Sequence, residues 1–150
     1  MNLLIRKASL DDLTNIKRCA IAAYSVYIER IGKDPAPMIA DFATAISSHT
    51  LYIATLASQF ASFVVFFPRG DHLHLENIAV YPKLQGKKIG YSLIKFVEDT
   101  AQKKHLFAVE LYTNAKMYEN LSLYPRLGYV KIGEHVEDGF ERVYFRKELP

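Results

Sequence analysis

One stretch limits the choice of folds more than any other. LHLENIAVYPKLQGKKIGYSLIKFVEDTAQKK, Leu73 to Lys104, reads as a strand, a tight loop and a helix. Leu73, Leu75, Ile78 and Val80 lie in an apolar run of strand length, and Tyr81-Pro82 ends it because proline has no N–H for a sheet ladder. Gln85 to Gly90 (QGKKIG) then opens an amphipathic segment in which Ile89, Leu93, Phe96, Val97 and Ala101 share one helical face. A glycine-bearing loop at a helix start gathers backbone N–H groups with no intrahelical partner. With the positive end of the helix dipole they form an anion site. Lys87 and Lys88 are expected in the first helical turn, where each cation opposes the dipole at a cost of about 0.3–1 kcal/mol. A phosphate-bearing ligand turns that cost into a gain, whereas a solvated turn only tolerates it.

Around this unit the chain alternates short elements. Leu3–Lys7 is expected as a strand, and Ser9 with Asp12 forms a capping box. Behind it Leu13, Ile16, Ala20, Ala23, Tyr24, Tyr27 and Ile31 mark a helix ending near Gly32, with Cys19 packed beside that face. RIGKDPAPM, Arg30 to Met38, interrupts regular structure, and Pro37 opens a second helix over Met38–Ser48. Leu51–Leu56 and Phe60–Phe67 read as a hairpin, and Pro68 to Asp71 turns the chain into the central strand. Further strands are expected at Phe107–Tyr112, Gly128–His135 and Phe140–Glu148, the last two joined through Asp138-Gly139. A helix over Lys116–Leu127 stops at Gly128. The order is strand, two helices, three strands, helix, strand, helix, two strands, in a single domain over residues 1–150.

AVYPKLQGKKIG followed by an amphipathic helix resembles the cofactor motif of the GNAT superfamily of acetyl-CoA-dependent N-acetyltransferases. That motif runs Gln/Arg-x-x-Gly-x-Gly/Ala after a Val-x-Pro strand end. Val80, Pro82, Gln85 and Gly90 match it, while Lys88 occupies the place of its first glycine and is expected in a right-handed helical conformation. The element order resembles the family from end to end. The resemblance implies an α+β fold, a splayed, predominantly antiparallel seven-stranded sheet flanked by about four helices. It also implies a cofactor cleft between Leu75–Val80 and Phe107–Tyr112.

On the same resemblance the cofactor is acetyl-CoA, with coenzyme A as product. Its diphosphate is expected on Gln85, Gly86, Lys87, Lys88, Ile89 and Gly90, and its pantetheine arm on main-chain groups of Ile78, Ala79 and Val80. NLSLYPRLGY, Asn120 to Tyr129, is similar to the family's late motif, with Tyr124 as the tyrosine presented to the thioester sulfur. A phenol of pKa ~10 lies only slightly uphill of a thiol at ~8.5, so Tyr124 is the candidate acid. Its alternative is packing with Met117, Leu121 and Leu127. Met117 stands where the family commonly carries asparagine.

A base is needed because an alkyl amine of pKa ~10.4 is almost wholly protonated at neutral pH. Glu76 shares strand parity with His72, His74 and Ile78, and a carboxylate among apolar neighbours is expected to have a raised pKa. Glu110 is the second candidate and His74 the third. A metal on His72, His74 and Glu76 lacks a partnering His/Cys cluster, so none is expected. Family resemblance puts the first helices over the acceptor, so Tyr24, Tyr27 and Arg30, with Glu110, are expected to bind substrate.

Composition bounds the partners. A net charge of +3, scattered along the chain, does not make a nucleic-acid surface. One cysteine excludes an internal disulfide, and no run has membrane-spanning length or secretion-signal character, so a soluble cytoplasmic protein without membrane partners is expected. The acceptor is expected to be a small-molecule or peptide amine, and the sequence leaves the oligomeric state open, a homodimer being common in the family. A non-catalytic acyl-CoA-binding or sensing module is the rival reading.

Overall fold

The computed structural model describes residues 2–150. Its strands are β1 (Leu3–Lys7), β2 (Leu51–Leu56), β3 (Gln59–Arg69), β4 (His72–Val80), β5 (Ala108–Asn114), β6 (Val130–Glu137) and β7 (Phe140–Glu148). The α-helical segments are α1 (Leu13–Tyr24), α2 (Ile28–Ile31), α3 (Phe42–Ser47), α4 (Ile89–Lys103) and α5 (Tyr118–Arg126). The strands follow the order β1-β2-β3-β4-β5-β7-β6 in one seven-stranded sheet. β4 and β5 run parallel, while β1/β2, β2/β3, β5/β7 and β6/β7 are antiparallel. The expected mixed α+β architecture is therefore present. Two compact units divide the chain, one holding the residues up to Phe66 with Asn77–Lys95, the other Phe67–Glu76 with Phe96–Pro150. No helix of the described residues is long and apolar enough to cross a membrane.

In the first unit, β1 and β2 pair from Leu3↔Leu56 to Lys7↔Tyr52. The expected capping box forms: the Asp12 carboxylate accepts the Ser9 N–H at 2.8 Å and both Arg6 guanidinium nitrogens at 2.8 and 3.0 Å. Helix α1 buries Ile16, Cys19, Ala20, Ala23 and Tyr24, the face its periodicity marks. It does not continue unbroken to Gly32. Ser25–Tyr27 tightens into a 3-10 turn before α2, and the Ser25 hydroxyl donates to the Ile21 carbonyl, a local bond that competes with the helix ladder. The chain leaves α2 at Gly32, φ +90, a left-handed stop that glycine reaches without a Cβ penalty.

The helix expected over Met38–Ser48 is broken in two. A 3-10 turn spans Ala36–Ile39, Ala40 is extended, and α3 begins afresh because Asp41 accepts the Thr44 N–H at 3.1 Å as an N-cap. Phe42 from α3 meets Phe63 of β3 edge to face at 5.2 Å. The β2–β3 hairpin turns through Ala57 and Ser58, both at positive φ (50 and 68), a primed turn built without glycine.

In the second unit, β5 starts one residue later than expected, leaving Phe107 65% exposed. Its ladder with β4 runs only from His72↔Ala108 to Leu75↔Leu111, although β4 continues to Val80 and β5 to Asn114. Val97 and Ala101 of α4 are fully buried. Helix α5 is shorter than expected at both ends, and Gly128 (φ +96) closes it with the Tyr129 N–H donating to the Tyr124 carbonyl at 3.0 Å. That closure delays β6 to Val130.

Candidate active site

In the first unit the residues after β4 build a cradle of backbone donors. Pro82–Leu84 forms a 3-10 turn, and the Gln85 side chain donates to the Val80 carbonyl at 3.2 Å. Gly86 takes φ +83 and Lys88 φ +63 before the helix starts at Ile89. Two expectations are corrected here. Lys87 and Lys88 precede the helix rather than occupying its first turn, and Lys88 is left-handed rather than right-handed. The motif's glycine stands at a position whose backbone favours glycine, and here a lysine bears that conformation. The Lys88 carbonyl accepts the Ser92 N–H at 3.0 Å and so launches the helix.

Among the described residues, none of the main-chain N–H groups from Gly86 to Gly90 is bonded to a main-chain acceptor. A Cβ built on Gly86 would meet nothing within 4 Å, and one on Gly90 only Val80 Cγ2 at 3.9 Å. Gln85, Gly86, Lys87 and Lys88 are exposed, and Ile89 is buried as the helix's first anchor. A run of unpaired N–H groups with two adjacent cations suits a diphosphate.

The neighbouring carbonyls are already engaged. The Tyr24 hydroxyl shares its proton between the Ile78 carbonyl at 2.6 Å and Asn77 Oδ1 at 2.9 Å. Asn77 Nδ2 in turn donates to the Pro37 carbonyl at 2.9 Å, tying the proline-rich segment to β4. Sequence reading did not single out Asn77, because its partners are 53 and 40 residues away. The Cys19 thiol rests 3.8 Å from the Ala79 carbonyl, and burial pushes it up to about 12, so it remains a packed thiol. Arg30 lies over the Tyr27 ring at 5.2 Å.

In the second unit Glu76 is clamped. Its Oε2 meets His74 Nε2 at 2.6 Å, and its Oε1 accepts the Tyr112 hydroxyl at 3.1 Å. The expected upward shift is overturned. Burial pushes the Glu76 carboxyl up, but the hydrogen bond and charge of His74, the Tyr112 hydroxyl and the charge of Arg69 outweigh it and hold it below the usual range. His74 itself is buried. Glu110 is bound to Arg146 Nη1 at 2.6 Å, which leaves it poorly placed to take a proton. Tyr124 is 5% exposed, its ring set edge-on to Tyr129 and tilted on Phe145, each at 5.8 Å. Met117 caps α5 and is buried, its sulfur 3.7 Å from Thr113 Oγ1 and 3.8 Å from Asn120 Nδ2. No group of three or more His, Cys, Asp or Glu among the described residues is placed to hold a metal ion.

Residues 29–149 match the family model described as acetyltransferase (GNAT) domain. No curated protein matches the chain. Among solved structures it is similar to the ribosomal-protein-S18-alanine N-acetyltransferase of Escherichia coli, with 16% identity and a TM-score of 0.74 over 97% of this chain and 93% of that one. It is also similar to the PaiA N-acetyltransferase of Thermoplasma acidophilum, solved with coenzyme A, with 18% identity and a TM-score of 0.73 over 99% of this chain and 100% of that one. A nourseothricin acetyltransferase shares 22% identity and a TM-score of 0.62 over 67% of this chain, which spans 65% of that protein's length. Likenesses at such identities show the fold, and the family model, which covers most of the sequence, shows the lineage: the chain belongs to the GNAT acetyltransferase family.

Proposed function

We propose that this protein transfers the acetyl group of acetyl-CoA to a primary amine by direct attack in a ternary complex. The observation that carries the reading is the run of open N–H groups from Gly86 to Gly90, held by positive φ at Gly86 and Lys88. Those donors, with Gln85, Lys87, Lys88 and Ile89, hold the diphosphate, and main-chain groups of Ile78, Ala79 and Val80 receive the pantetheine arm. The cofactor supplies an acetyl group activated as a thioester. Glu76, ionised at neutral pH, takes the proton from the amine, and Tyr124 gives one to the departing sulfur. A main-chain N–H of the central strand directed at the developing oxyanion contributes about 3 kcal/mol or more. Tyr24, Tyr27 and Arg30 shape the acceptor mouth.

A second reading, a non-catalytic acyl-CoA-binding module, draws on one observation: Tyr124 is only 5% exposed. Thiol release from acetyl-CoA, measured against a panel of small amines, polyamines and peptides, separates the two. Acceptor-dependent release supports the enzyme, and saturable binding without release for any acceptor supports the module.

A further inference from the structure

The second unit surrounds Glu76 with an arrangement that a bare carboxylate base would not need. The His74 side chain is 3% exposed, whereas that of Glu76, two residues along the same strand, is 36% exposed. The imidazole sits between the Phe67 ring at 5.4 Å and the Tyr112 ring at 5.8 Å, the latter stacked within 29° of parallel. A ring nitrogen 2.6 Å from a carboxylate oxygen carries the proton in that contact, so Nε2–H donates to Oε2. Burial, then the Glu76 charge, pushes the Tyr112 phenol up to about 12, so it remains a donor to Oε1 at any working pH. Both oxygens are thus held, one donor on each. The lone pairs left over belong to the half-buried carboxylate, which is more exposed than His74.

We infer that His74 is a positioning residue for Glu76, fixing the carboxylate with Tyr112 so that its open lone pairs are presented, ionised, to the acceptor amine. The inference rests on the acetyltransferase reading of Glu76. In the step it serves, the amine nitrogen bonds to the acetyl carbon, and the carbon–sulfur bond breaks with its electron pair on sulfur. The amine's proton forms an O–H bond on Glu76. His74 keeps its own proton throughout and moves none. Other charges facing the cluster are Arg69 from β3 and Arg142, whose guanidinium lies 4.5 Å over the Tyr112 ring from β7. Both are cations, and the Arg69 charge favours the ionised carboxylate. Tyr144, also on β7, packs on Tyr112 at 5.4 Å.

The test compares wild type with His74→Phe, which keeps an aromatic body without the donor, and with His74→Gln, which restores an amide donor. Turnover at saturating acetyl-CoA and acceptor reports ionisations in the bound complex. Removing the donor leaves burial less opposed, so the acid limb of the turnover profile should move up by about one pH unit in His74→Phe, with turnover on that limb falling about tenfold. KM for acetyl-CoA should stay within about twofold, and His74→Gln should return the limb most of the way. Superimposed profiles for wild type and His74→Phe would overturn the inference while leaving the acetyltransferase reading standing. A wild type that releases no thiol defeats that reading instead. The clamp is then read without substrate, by NMR titration of the Glu76 carboxyl: a higher midpoint in His74→Phe is expected, and an unchanged one overturns the clamp.

Discussion

The Tyr24 hydroxyl lies 2.6 Å from the Ile78 carbonyl and 2.9 Å from Asn77 Oδ1, so a side chain from α1 is bonded to consecutive residues of the central strand. Asn77 passes the connection to Pro37 through its amide. This network ties the segment between α1 and α3 to β4 at Pro37. Tyr24→Phe removes the donor and leaves buried acceptors behind, which should destabilise the protein by about 1–3 kcal/mol in urea unfolding. Asn77→Ala should cost a similar amount, and the double variant should cost less than the sum because the bonds form one network.

Lys88 holds a left-handed backbone at φ +63, a conformation that costs a non-glycine residue about 1–2 kcal/mol. Lys88→Gly should therefore raise thermal stability, by up to about 1 kcal/mol after the added freedom of the unfolded chain is subtracted. Coenzyme A binding measured by calorimetry should persist, since the amide survives the change. Lys88→Val, β-branched at the same φ, should lower both stability and binding.

Much of this organisation was legible in the sequence. Period-two and helical spacings gave the strands and the buried face of α4, and turn residues such as Asp138-Gly139 gave the breaks between them. Local competition was harder to read: Asp41 caps a new helix where Pro37 alone suggested a longer one, and Ser25 tightens α1 by bonding Ile21. Long-range partners were not legible at all. Glu110 looks available until Arg146, 36 residues on, takes it, and the Glu76 shift changes sign because His74 and Tyr112 outweigh burial. Lys88 disclosed its departure from the motif but not the backbone angle that gives the departure its cost.

Asp71 provides a pH signature. Its hydrogen bonds from Arg146, then from His72, hold the carboxyl down to about 2. A carboxyl lowered in the folded state stabilises it above the unfolded value of ~3.9, and the contribution disappears as pH falls toward the folded value. NMR titration should place Asp71 near 2, and Arg146→Ala should move it back toward ~3.9.

Tyr124→Phe separates acid catalysis from packing. The ring contacts with Tyr129 and Phe145 are kept in the variant. Turnover should fall by about 10²–10⁴-fold with little change in acetyl-CoA affinity. Turnover unchanged across pH would remove Tyr124 from the mechanism.

The most direct measurement follows the backbone amides of the ¹⁵N-labelled protein during a coenzyme A titration. The account predicts that the resonances of Gly86, Lys87, Lys88, Ile89 and Gly90 shift together and saturate with one dissociation constant. If coenzyme A bound while those amides stayed in place, or failed to bind at all, the diphosphate cradle and the enzyme built on it would be contradicted.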